Sequence, residues 1–137
     1  NIPYGLKDTD KIPSIYDENQ LKKISQLIQH VKFRCMSFDK SLKNVKKGDF
    51  IYLDPPYAPE NKTSFVKYNK DGFPLESHKL LFKTVKELEN VKFIMSNANV
   101  ELVTSAFETY NIQHIVARRA INSKDPSATA KEVIIYN

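Results

Sequence analysis

Glycine is scarce in this chain of 137 residues: it occurs only at Gly5, Gly48 and Gly72. That spacing excludes a glycine-rich loop of the kind whose backbone amides cradle a nucleotide. Cysteine is scarcer still. Cys35 stands alone, which excludes an internal disulfide and argues against a structural zinc site. Lying in an apolar-periodic stretch, it reads as a buried core thiol. His30, His78 and His114 are scattered without ligand spacing and read as structural, so no metal site is expected. No apolar run approaches the length of a membrane span, and the first residues carry no secretion signal. A reducing, intracellular setting fits these absences. There is no internal repeat and no low-complexity tract.

What is present suits one modest domain. Hydrophobic residues make up 41% and charged residues 27%, the balance of a globular chain. The net charge of +5 leans toward a nucleic-acid partner. The opening Asn1-Ile2-Pro3-Tyr4-Gly5 has no start methionine and reads as the middle of something larger, so a fragment is expected.

Residues 1–16 read as loop, with Pro3, Gly5 and Pro13 as breakers. Asp17 to His30 reads as a helix capped by Asp17, with Leu21, Ile24, Leu27 and Ile28 on a core face. Val31 to Phe38 reads as a strand, Lys43 to Gly48 as a basic turn, and Phe50 to Leu53 as a short buried strand. A long polar loop covers 58–73, and a loop of that length is usually functional or mobile. Pro74 opens a helix to about Asn90, with Leu81, Val85 and Leu88 on its core face. Val91 to Ser96 reads as a buried strand. A helix capped by Asn97 or Asn99 then runs to Tyr110, burying Val100, Val103 and Phe107. Strands at 112–119 and 131–136 close the chain as an antiparallel pair across a turn-rich connection. The whole is an α/β pattern: a mostly parallel sheet with an antiparallel hairpin at one edge.

The chain is organised around Ile51-Tyr52-Leu53-Asp54-Pro55-Pro56-Tyr57. An apolar strand ends in a carboxylate, two prolines and an aromatic ring. Neither proline can donate to a ladder, and Pro56 pushes Pro55 into an extended shape, so the backbone leaves the sheet rigidly after Asp54. In open α/β sheets ligands sit beyond the carboxyl ends of strands. A planar base with an exocyclic amino group fits such an edge. The Asp54 carboxylate and the Pro55 carbonyl can each accept one amino hydrogen, which favours a pyramidal nitrogen with a localised lone pair. As that nitrogen attacks, Asp54 stabilises the charge developing on it. Tyr57 offers a stacking face, worth about 1–3 kcal/mol per base in single-strand binders. A tight turn after a strand is the bland alternative; the strand before and the basic, aromatic-bearing loop after favour function.

Asp54-Pro55-Pro56-Tyr57 matches the DPPY motif of amino-methyltransferases, and the chain around it resembles the Dam-type (D12 class) DNA adenine-N6 methyltransferases. Ile2-Pro3-Tyr4-Gly5 looks like the segment that closes that family's target-recognition insertion. Phe33 to Leu42, Phe73 to Leu81, Ile94-Met95-Ser96-Asn97 and Arg118 to Ser123 resemble further family segments, in the right order over nearly the whole chain. The resemblance implies part of a Rossmann-like sheet, with 1–16 as the tail of the recognition insertion and 17–137 as half of the catalytic domain. It implies S-adenosylmethionine as methyl donor, duplex DNA as partner, a base flipped out of the stack, and an intracellular place on DNA. Asp54, Pro55, Pro56 and Tyr57 would form the catalytic group, and Ser37, Phe38 and Asp54 would touch the donor. The donor-binding glycine loop of the family lies upstream and is expected in a missing N-terminal part. Two strands of that part would separate 31–38 from 49–53 in the sheet.

Lys62, Lys67, Tyr68 and Lys70 give the long loop cations and a stacking group for DNA, and Arg118, Arg119 and Lys124 are further backbone contacts. A solvated loop and hairpin are the competing readings. Ser96 and Asn97 help shape the pocket by resemblance, while a helix cap is the simpler reading. Beyond the enzyme stands a different class, a non-catalytic DNA-binding or assembly remnant. Glutamine-modifying and small-molecule methyltransferases fit less well, because they tend to carry Asn where this chain has Asp54.

Overall fold

The computed structural model describes residues 16–59, 72–118 and 128–137. The chain divides into two compact units, Asn1–Cys35 and Met36–Asn137. In the first, α1 spans Glu18–Leu27. The Asp17 carboxylate accepts from the backbone N–H of Asn19 at 2.8 Å and of Gln20 at 3.2 Å, the expected cap. The apolar stripe forms, but its expected burial is not found: α1 has no buried residue, and Leu27 is 79% exposed. Periodicity decides which face would pack; it does not supply a surface to pack on. Cys35 is likewise exposed, not a core thiol.

The strand expected at 31–38 is also corrected. Residues 31–37 join no ladder, and Phe38 begins a helix. Alternating apolar residues become a strand only beside a partner that takes their backbone bonds. Here Ser37 is extended and serves as the N-cap position of α2 (Phe38–Leu42).

The second unit then runs β1 (Phe50–Leu53), α3 (Leu75–Lys86), β2 (Lys92–Ala98), α4 (Glu101–Thr104), a 3-10 turn (Ser105–Phe107), β3 (Asn111–Arg118) and β4 (Thr129–Tyr136). The described strands form one sheet in the order β1-β2-β4-β3. β1 and β2 are parallel; β4 is antiparallel to both β2 and β3. The last two strands therefore pair as expected, with β4 inside the sheet and β3 at its edge. The residues that connect them, 119–127, lie outside the described residues.

Small devices set the register. Gly48 sits at φ +88°, a left-handed turn that side chains resist, and its N–H donates to the Asn90 carbonyl at 2.9 Å. That bond brings the start of β1 to the start of β2. After β4, Asn137 stands in for a strand neighbour. Its Oδ1 accepts from Phe93 N–H at 3.0 Å, and its Nδ2 donates to the Val91 carbonyl at 2.8 Å.

One sheet face carries the core. Ile51, Leu53, Phe93, Met95, Val133 and Ile135 meet Leu81, Phe82 and Val85 of α3 and Val103 and Phe107 beyond β2. Phe107 is edge-on to Phe82 at 5.2 Å between ring centroids. Truncating such a fully buried ring costs about 3–5 kcal/mol. On the opposite face Phe50 and Tyr52 are 64% and 63% exposed. β1 is thus half-buried, not buried throughout, because only its Ile51 and Leu53 side meets the helices. The helix expected from 74 ends at Lys86, and Pro74 is its N-cap position. The helix expected from Asn97 starts later, with Val100 at the cap position and no side-chain cap bond. Asn97 is instead inside β2.

Candidate active site

The rigid exit after Leu53 puts Asp54 at the carboxyl end of β1. Leu53 faces Met95 in the parallel register, so Ser96 comes next to Asp54. The Ser96 hydroxyl donates to Asp54 Oδ1 at 2.8 Å, and lies 3.5 Å from the Leu53 carbonyl. Ser96 is buried, at 4% exposure, while Asp54 is exposed. A buried hydroxyl thus reaches out to one oxygen of an accessible carboxylate.

The chain beyond the prolines is also held from β2. The N–H of Ala58 donates to Asn97 Oδ1 at 2.9 Å, and Ala98 N–H donates to the same oxygen. Asn97 is fully buried, and its Nδ2 has no partner among the described residues. The bond from Ala58 ties the loop to β2 just past Tyr57, and the bond from Ala98 holds the Asn97 side chain in place.

Tyr57 is half-buried. Its O–H lies 3.5 Å from Glu132 Oε2 on β4, a long contact. Glu132 faces Ala98 because β4 runs against β2, so the antiparallel strand brings its own early residues to the carboxyl ends of β1 and β2. Burial pushes the phenol above its ordinary pKa. Ser96 pulls it down, and the carboxylates of Glu132 and Asp54 push it up again.

Ser37 and Phe38 belong to a second cluster. The neighbouring Ser37 hydroxyl holds the Asp39 carboxyl below its ordinary pKa. The Phe38 ring is edge-on to Phe73 at 5.8 Å, and Phe73 to His78 at 4.7 Å. His78 is buried, as a structural histidine should be, and burial lowers its pKa. Arg118 ends β3 with its side chain exposed. Lys62, Lys67, Tyr68, Lys70, Arg119 and Lys124 lie outside the described residues. A groove of about 340 Å³ between α3 and α4, lined by Lys79, Lys83, Lys86 and Phe82 among others, shares no residue with Asp54 and its partners. Among the described residues no cluster of three or more metal-ligating side chains occurs, and no helix is long and apolar enough to cross a membrane.

Residues 1–121 match the D12 class N6 adenine-specific DNA methyltransferase family. The chain belongs to that family. It is 39% identical over 128 residues to the type II methyltransferase M.MjaIII of Methanocaldococcus jannaschii, a match covering 90% of this chain and 43% of the relative. It is 34% identical to the type II methyltransferase M1.LlaDCHI of Lactococcus lactis subsp. cremoris, covering 100% of this chain and 49% of the relative. It is 31% identical to the retron Ec67 DNA adenine methylase of Escherichia coli, covering 98% and 45%. The chain therefore spans under half the length of these relatives. Glu132 is the site residue that sequence reasoning missed, since nothing within its own strand announces it. For Asn97 the resemblance offers a pocket role beside the simpler cap reading, and the cap is not found: its oxygen accepts from Ala58 and Ala98 instead.

Proposed function

We propose that this chain carries the amino-acceptor half of a DNA adenine-N6 methyltransferase, with S-adenosylmethionine as donor and duplex DNA as partner. The observation that carries the reading is Asp54 itself: an exposed carboxylate at a strand's carboxyl end, with one oxygen held by Ser96. Its other oxygen and the Pro55 carbonyl are then available to the two hydrogens of an adenine amino group. Binding both hydrogens localises the nitrogen lone pair, and the carboxylate stabilises the positive charge that grows as nitrogen attacks. Tyr57 offers its ring to the flipped base. S-adenosylmethionine supplies an electrophilic methyl group when bound.

Of the donor's surroundings this chain would provide Asp54, Phe38 and the Ser37 turn. Phe38, a half-buried ring set edge-on to Phe73, suits an adenine face. The glycine loop for the rest of the donor belongs, in this reading, to an N-terminal part of the same enzyme. Lys62, Lys67, Lys70, Arg118, Arg119 and Lys124 would meet phosphates.

Labelled-donor methyl transfer to an adenine-containing duplex tests the reading in the intact enzyme. Asp54→Ala should reduce the rate by about 10²–10³-fold or more. Equal rates for wild type and variant would refute it.

A further inference from the structure

We propose that Ser96 is the positioning residue that orients the Asp54 carboxylate for the amino group. The inference rests on the proposed function and extends it to a strand outside the DPPY motif. Two acceptors must be aimed at two hydrogens of one nitrogen. The first, the Pro55 carbonyl, is set by the backbone, since Pro55 and Pro56 restrict the dihedrals around it. The second is on a side chain, and the backbone leaves its carboxylate plane free to turn.

Ser96 removes that freedom. Its hydroxyl meets Oδ1 at 2.8 Å, a charge-assisted bond and so a strong one. The alternative acceptor, the Leu53 carbonyl, is 3.5 Å away, at the outer limit of a hydrogen bond. The hydroxyl is buried, where a polar group without a partner is costly, so it keeps hold of the carboxylate. Ser96 is itself rigid. It lies between β1 and β4 in the sheet, opposite Ile134, and its strand neighbour Asn97 anchors the loop at Ala58.

The test is single-turnover and steady-state methyl transfer by the intact enzyme. Ser96→Ala should slow the single-turnover rate by about ten- to a hundredfold, as expected for losing a hydrogen bond to a charged group. KM for duplex and for donor should stay within about twofold, because the lost interaction acts on the reacting nitrogen. Ser96→Thr, which keeps the hydroxyl, should recover most of the rate. A wild-type rate for Ser96→Ala, a loss confined to KM, or no recovery with Ser96→Thr would each overturn the inference. If Ser96→Ala melts out, Ser96→Cys keeps the volume with a poor donor. It should show the same rate loss without the melting change, and a wild-type rate there also overturns the inference. Asp54→Ala separates the two readings. If it is active, the function itself fails; if it is inactive while Ser96→Ala is normal, only the role of Ser96 fails.

Discussion

Tyr57 shows how much of a site's character comes from residues far away in sequence. Its phenol is pushed up first by burial, then by the charges of Glu132 and Asp54, against the opposing pull of Ser96. Replacing Glu132 by Gln removes one negative charge, so the phenol should titrate at lower pH. An ultraviolet titration, taken as the difference between each protein and its Tyr57→Phe counterpart, reads this directly; an unmoved titration would place Glu132 outside the network. The sign for stability follows from linkage. The folded pKa lies above the unfolded value of about 10, so the folded state binds the extra proton. That contribution is whole below pH 10 or so and is lost as pH rises through the raised value. None of this could be read from Asp54 to Tyr57 as letters. Their order revealed the carboxylate, the rigid exit and the ring, all local properties. Ser96 and Glu132 are 42 and 75 positions from their partners Asp54 and Tyr57, and pairing over such distances leaves no local trace.

At the scale of elements, β2 is the strand that holds the site. Its one side, Phe93 and Met95, is core, and Asn97 continues that side as a polar anchor. Asn97→Ala would leave the Ala58 and Ala98 amides without their acceptor, and a buried unpaired group costs about 1–3 kcal/mol. Hydrogen exchange at the Ala58 amide should then speed up by about tenfold or more, since exchange follows local opening. Unchanged protection would show that the loop is held by something else. This element also shows where sequence patterns mislead. Asn after an apolar run looks like a helix cap because asparagine favours caps, yet β2 continues through it to Ala98. The alternation at 31–37 looks like a strand, yet no ladder takes it up. By contrast α3, β2 and the antiparallel last pair were legible, because their apolar spacing coincides with the face they bury: Leu81 and Val85 on α3, Val133 and Ile135 on β4.

At the scale of the molecule, the chain is proposed to carry one half of a reaction. It spans under half the length of the relatives it matches, and its three glycines form no donor loop. The purified 137 residues should therefore bind the methyl donor weakly and methylate no duplex, as judged by calorimetry and labelled-donor transfer. Clear methylation by these residues alone would overturn the division into halves. The sheet order adds a consequence in time. β4 is made after β3 but lies between β3 and β2. When synthesis has reached Arg118, β1, β2 and β3 have been made, and β3 pairs with neither of the other two. Only when Thr129 to Tyr136 arrives can the sheet close, and the same strand delivers Glu132 to Tyr57. Contacts this distant in sequence form slowly. β1 and β2 can bring Ser96 to Asp54 before β4 exists, but Tyr57 gains Glu132 only once β4 is in place.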